Sequence, residues 1–264
     1  MRFTRECRTI HRRQMSMDTN IAEQVRRAGL RDWFAGVLGQ SVLDAEHARL
    51  REILPTLYGP VAVQLGLCRE VALLAATDAP RRIAVEAAPA SCDVSAVLAD
   101  AAALPFGAKT IGIVIAPHVL DYVADPHQVL REIERVLVPE GHLVLTGFNP
   151  WSLWGACRRL RLSRRRAPWC GTFYRLARVK DWLHLLDFEQ VAGAMVYYRP
   201  PMKSASALAR LAFLEPAGDR WWPMLAGVYI VIVRKREIGV TGIPVRRRRR
   251  ALAPGLVEPA TRSR

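Results

Sequence analysis

Four short runs, Val61–Leu65, Arg82–Glu86, Ile111–Ala116 and His142–Thr146, are dense in Val, Ile, Leu and Ala at consecutive positions, and helical stretches separate them. A strand that is apolar on both sides must be covered on both faces. Alternating such strands with helices makes a parallel sheet of βαβ units the economical fold. At 264 residues with 51% apolar side chains, the chain can bury one sizeable core carrying decorations.

The flanking segments read differently. From Asp18 to about Tyr58, apolar residues such as Trp33, Phe34, Val37, Leu38, Leu43, Leu50, Ile53, Leu54 and Leu57 recur at helical spacing, and Gly59-Pro60 ends the pattern. Residues 18–58 are therefore expected to be helices packing on the core. Residues 1–17 are expected to be a disordered leader, with Met17 as a second candidate start, and 241–264 a disordered basic tail. Between them, 59–240 form the α/β domain, with 151–178 and 199–226 as cap or insert segments.

The best-marked helix is Asp125–Val138. Asp125 suits its cap and Pro126 its first position, while Val129, Leu130, Ile133, Val136 and Leu137 make one apolar face. Further helices are expected near Val179–Leu186 and Lys203–Leu214, and strands near Val191–Tyr198 and Val228–Arg234. The two late strands invite an antiparallel pair at one sheet edge, and the residues between them a cap over the site.

Several classes are disfavoured by composition. No apolar run reaches the roughly 18–20 residues that cross a bilayer. The basic start lacks the apolar core of a secretory signal, and five cysteines form no CxxC pair. Reduced thiols in a cytoplasm are expected. The net charge of +15 is concentrated in Arg158–Arg166 and Arg246–Arg250. These runs suit either a solvated surface or the phosphates of a nucleic acid or an anionic membrane.

An open parallel sheet binds its ligand beyond the carboxyl ends of its strands. That rule selects Gly66 with its neighbour Gln64, Glu86, Asp100 with Ala101, Pro117 with His118, and Asn149. A glycine after the first strand admits close backbone approach. A carboxylate ending the second can accept from two ribose hydroxyls, and a later Asp from an adenine amino group. Each has a plainer alternative: Gln64 and Gly66 as strand-end residues, Asp100 as a turn cap, Glu86 as a wet strand end. His118 is either a proton acceptor or a structural histidine. Asp121, Tyr122, Asn149 and Trp151 lie on the same rim as candidate walls of a substrate pocket.

The stretch from Asp100 to Pro150 resembles the central part of class I S-adenosylmethionine-dependent methyltransferases of the type 11 domain family. The resemblance is carried, in order, by Asp100-Ala101, Leu104-Pro105-Phe106, Val119-Leu120, Asp125-Pro126, Arg135-Val136-Leu137 and Pro139-Glu140-Gly141. It implies a doubly wound, mostly parallel seven-stranded sheet with its last strand antiparallel, over about residues 58–236. It also implies S-adenosylmethionine as cofactor, with Gly66 in the first loop, Glu86 as the ribose acid and Asp100 at the adenine.

The departures are specific. Gln64-Leu65-Gly66-Leu67-Cys68 keeps one glycine and no acid where the family has an acid and two or three glycines. Thr110-Ile111-Gly112 replaces a Ser-Phe-Asp, and no aromatic-proline tetrapeptide follows the fourth strand, where Ala116-Pro117-His118-Val119 stands. Two functions are therefore carried forward. One is methyl transfer to a small or lipophilic acceptor, a guess motivated by the Trp-rich 151–178 and 199–226 segments. The other is a methyltransferase-like module that binds nucleic acid or a protein through its arginines.

Overall fold

The computed structural model describes residues 25–67, 73–87, 95–160, 166–202 and 204–237. The expected leader and basic tail, Cys68 and the Arg246–Arg250 run lie outside the described residues.

Helix α1 covers residues 25–34, and α2 spans Val37–Ile53. They precede the strands β1 (Val61–Leu65), β2 (Arg81–Glu86), β3 (Ser95–Leu98) and β4 (Ile111–Pro117). A one-turn helix α3 (Val119–Tyr122), then α4 (Pro126–Val136), β5 (Leu137–Phe148), α5 (Leu153–Leu160) and α6 (Leu176–His184) follow. The chain continues through β6 (Phe188–Val196), α7 (Ala205–Arg210), α8 (Leu214–Trp221) and β7 (Val228–Lys235).

The strands form one seven-stranded sheet in the order β3-β2-β1-β4-β5-β7-β6. β1 to β5 are parallel, and β7 runs antiparallel between β5 and β6. Strand order reverses between β1 and β4, so the ligand crevice of such a sheet opens beyond Leu65 and Pro117.

Each face has its own core. On one face, Leu30 and Phe34 of α1 and Val42, Leu43 and Leu50 of α2 pack on Ala62, Ile113, Ile115, Val144 and Ile232. On the other, Val129, Leu130 and Ile133 of α4 and Val179 and Leu183 of α6 pack on Val63, Val114, Leu143, Val231 and Val233. All seven residues of β4 are buried, which is why that run reads as continuously apolar. Gly112 in β4 lets Gly59 approach: a Cβ on Gly112 would lie 2.6 Å from the Gly59 Cα.

The family-like motifs have structural reasons. Asp125 caps α4 by accepting from the Gln128 amide at 3.0 Å. Arg135 donates to the carbonyls of Leu104 and Phe106 at 3.1 and 2.9 Å while its guanidinium pairs with Glu132 at 2.8 Å. Glu132 also accepts from the Leu104 amide. The Leu104-Pro105-Phe106 turn is thus clamped to α4.

Four element boundaries depart from expectation. β3 was absent from it: the strand lies at the sheet edge, three of its four residues are exposed, and its apolar stretch is short. β5 begins at Leu137, not His142: Ile111 pairs with Leu137 and the register then shifts, so Pro139-Glu140-Gly141 lies within a bulged strand. The expected helix Lys203–Leu214 is shorter: α7 ends at Arg210, and a separate helix, α8, begins at Leu214 with Pro216 in its first turn, where the missing N–H is harmless. The 199–226 segment packs beside β6, with the Tyr198 ring against Gly218 and the Tyr198 amide donating to Glu215, rather than over the β1–β4 crevice.

Candidate functional site

The crevice at the switch point is a cavity of about 30 Å³. Leu65, Gly66 and Leu67 line it from the end of β1, Glu86 from β2, and Pro117 to Val119 with Tyr122 from the end of β4. Its remaining wall is Arg27, Leu30 and Arg31 of α1. Among the described residues the cover over this rim therefore comes from α1 and not from the segments expected to cap it.

Gly66 has φ +71°, and its amide donates to the Val85 carbonyl at 2.7 Å, which pins the end of β1 to β2. No atom lies within 4 Å of a Cβ built there, so its requirement for glycine is one of backbone conformation. Leu67 follows in the same left-handed region at φ +53° and is buried. A second glycine would be natural here, and a leucine adds strain of about 1 kcal/mol. The end of β1 thus turns through two left-handed residues, the second carrying a bulky side chain.

Glu86 ends β2 and is 2% exposed. An unpaired carboxylate at that depth is costly. Its partner is the guanidinium of Arg31, which reaches it from α1.

His118 occupies a second buried cluster behind the cavity. It has φ +52°, and its side chain is wholly buried. Nε2 lies 2.9 Å from Glu46 Oε1 of α2, and Nδ1 lies 3.2 Å from Asp121 Oδ2. That same Asp121 oxygen accepts from the Phe148 amide at 3.0 Å, and the imidazole lies 4.2 Å from the Phe148 ring. Burial pulls the His118 pKa down, but the Glu46 charge and the hydrogen bonds to Asp121 and Glu46 outweigh it and hold the pKa at about 9. Burial raises the Asp121 pKa, against the hydrogen bond from His118. The ring is an imidazolium donating from both nitrogens, and it ties α2 to the sheet rim. The expectation of His118 as a proton acceptor is corrected accordingly: neither nitrogen is available to an acceptor molecule.

Glu46 was not singled out from sequence. Its signal was an acid at position i+4 from Val42 and i−4 from Leu50 on the buried stripe of α2. An acid there needs a buried partner, which only the fold could name.

The other expected residues divide. Pro117 and Tyr122 line the cavity, and the Tyr122 hydroxyl donates to the Pro168 carbonyl at 2.8 Å. Gln64 is buried beneath the rim, its amide donating to the Gly66 carbonyl at 3.2 Å. Asp100 is exposed and caps its own turn, accepting from the Ala102 amide at 2.9 Å; it is not among the cavity walls, and Ala101 is buried in the core beside it. Asn149 is also elsewhere: its side chain donates to the carbonyls of Met224 and Ala226 and accepts from the Trp151 amide, fastening the turn after β5 to the approach of β7. Trp151 is 61% exposed with the Arg175 guanidinium 4.9 Å from its ring, away from the cavity. Among the described residues no group of side chains has metal-site geometry, and no helix is long and apolar enough to cross a membrane.

A parallel sheet with one antiparallel strand, a switch-point crevice and an acid ending β2 define the Rossmann-like fold of class I methyltransferases. Residues 59–145 match the family model described as "Methyltransferase domain". The uncharacterized protein YafS of Escherichia coli K12 is 33% identical over 150 residues, 57% of this chain and 59% of that protein. Uncharacterized protein Rv2003c of Mycobacterium tuberculosis is 28% identical over 175 residues, 64% of this chain and 60% of that one. The chain thus spans about 60% of the length of these relatives. Among solved structures, the N-methyltransferase NodS of Bradyrhizobium japonicum, in complex with S-adenosyl-L-homocysteine, superposes with a TM-score of 0.52 at 14% identity, covering 83% of this chain and 99% of that one. An S-adenosylmethionine-dependent methyltransferase of Mesorhizobium loti gives 0.51 at 17% identity, covering 73% and 100%. At these identities the structural likeness concerns the fold.

The rim residues fit an adenosyl cofactor in chemistry: a buried carboxylate at the end of β2 and a left-handed glycine at the end of β1. The space does not fit it while α1 is in place, since about 30 Å³ holds roughly one water and small-molecule sites run to roughly 300 Å³ or more.

Proposed function

We propose that the chain is an S-adenosylmethionine-dependent methyltransferase whose cofactor site is reached only when residues 25–34 withdraw from the sheet rim. The observation that carries this reading is Glu86, a buried acid at the end of β2 within the methyltransferase domain, held by a guanidinium from outside that domain. S-adenosylmethionine supplies a sulfonium-activated methyl group. Glu86 is the group that would accept from its ribose hydroxyls, and Gly66 the point of close backbone approach. Asp100 would serve the adenine only after leaving its own turn, so Glu86 takes the larger share.

Methyl transfer from a sulfonium needs positioning and exclusion of water more than a base. The engagement of His118 by Glu46 and Asp121 is therefore no objection; His118 acts here as a positioning residue for α2 and the α3 turn. A small or lipophilic acceptor agrees with the apolar walls at Leu65, Leu67 and Val119.

Titration calorimetry with S-adenosyl-L-homocysteine tests this. Binding by the wild type, lost in E86A and strengthened in R31A, supports it. The closed cavity also favours a second reading, a methyltransferase fold that has ceased to hold its cofactor. Absence of binding in both the wild type and R31A would establish that one instead.

A further inference from the structure

Away from the cofactor cavity, α5, the 172–175 loop and the start of α6 enclose a second cavity of about 550 Å³. Arg158, Arg159, Arg175 and Arg178 line it, and Asp181 is the one carboxylate among its walls. Several arginines elsewhere on the described surface are held in ion pairs: Arg135 with Glu132, Arg199 with Glu215, Arg234 with Glu140 and Glu189. Arg159, Arg175 and Arg178 form no ion pair among the described residues. Like charges gathered around a concavity repel one another and focus a positive field, a cost to the free protein that an anion removes.

The arginines are held in a particular way. Arg175 lies over the Trp151 ring at 4.9 Å, Arg178 over Trp182 at 5.2 Å, and Arg158 over Phe173 at 5.0 Å with its Nε donating to the Trp169 carbonyl. A guanidinium lying over an aromatic ring has its position fixed and its edge N–H donors still directed outward, a geometry suited to phosphate oxygens. Beside them Trp151 is 61% exposed.

We infer that this arginine-lined cavity is a binding groove for single-stranded nucleic acid, with phosphates at Arg159, Arg175 and Arg178 and a base on Trp151. Several cationic centres beside one exposed aromatic ring match the way such strands are held, by backbone charge and base stacking together. A concave wall suits a strand that enters it, whereas the flat plane of lipid headgroups would meet only its rim. The chain's net charge of +15 agrees in sign. This groove is independent of the methyl-transfer reading, since neither its walls nor its ligand involve the β1–β4 crevice.

The test is fluorescence anisotropy of a labelled twelve-nucleotide oligouridylate with the full chain, without cofactor, across a series of salt concentrations. The wild type is expected to bind with strong salt dependence. R159A/R175A/R178A should bind at least tenfold more weakly, with the log–log salt slope shallower by about 2, as three lost phosphate contacts on a single strand require. W151A should weaken binding about fivefold or more while leaving the slope unchanged. All four side chains are exposed, so thermal melts of the variants should coincide with the wild type. Wild-type affinity in the triple variant overturns the proposal. So does loss of all binding when only Arg246–Arg250 are replaced, or capture of the protein by anionic vesicles with no binding of the oligonucleotide.

Discussion

Arg31 of α1 pairs with Glu86, 55 residues further along the chain, at the one buried acid of the β1–β2 rim. The pair sets a counter-charge against a buried carboxylate, and it closes the crevice in which a methyltransferase domain would seat its cofactor. On the proposed function, one contact therefore both stabilises the ligand-free chain and opposes the ligand.

Replacing Arg31 separates these effects. R31A should tighten S-adenosyl-L-homocysteine binding by roughly tenfold, the equivalent of about 1.4 kcal/mol of removed competition. In the absence of ligand the same variant should be less stable by about 1–2 kcal/mol, because Glu86 loses the Arg31 counter-charge while the site opens to water. Calorimetric titration and denaturant melts of the same preparations check both signs.

The His118 cluster should leave a pH signature. Its folded pKa of about 9 lies above the ordinary value of 6.5, so folding favours the protonated ring. The resulting stability is fully present below about pH 6.5 and is lost as the pH rises through about 9. On the order of 3 kcal/mol is at stake if the full shift is realised. Urea unfolding between pH 6 and pH 10 should show this decline in the wild type and a much flatter profile in H118N. A wild type whose stability holds steady up to pH 10 would refute the charged-ring assignment.

Removing Glu46 isolates its part of the same cluster. E46A leaves an imidazolium beside one carboxylate in a buried site, and the loss should approach 3–5 kcal/mol. Thermal unfolding followed by circular dichroism should register a fall of many degrees, against a few for the exposed-face control E52A.

Gly66 offers a test of backbone conformation alone. G66A meets no atom within 4 Å, so any instability arises from φ +71° and should stay near 1 kcal/mol. In a domain of this size that lowers Tm by about 2–4 °C. Cofactor affinity should fall by more than this stability change accounts for, because the added methyl stands where close backbone approach is needed.

The N-cap of α4 gives an independent check on the domain's frame. D125A should cost about 1 kcal/mol, visible in urea melts, and leave ligand binding unaltered.

Much of this molecule could be read from residue order alone, and for a local reason. β1, β2, β4 and the heart of β5 announce themselves because burial on both faces imposes apolar residues in unbroken succession, and α4 because cap, proline and apolar face lie within a dozen positions. That Glu86 and Gly66 lie at the sheet rim follows from where such strands end. Edge strand β3, the bulge inside β5 and the division of α7 from α8 depend on exposure and pairing that no single segment encodes.

Contacts between distant segments were decided by the tertiary structure. That Arg31 meets Glu86 and that Glu46 reaches His118 are outcomes of how α1 and α2 lie across the sheet, and that Asn149 is taken up by the carbonyls before β7 is an outcome of the β5–β7 pairing. A carboxylate or an imidazole displays its chemistry in the sequence. Which charge satisfies it once water is removed is settled only when the chain folds, and at this rim that choice determines whether the crevice stands open or shut.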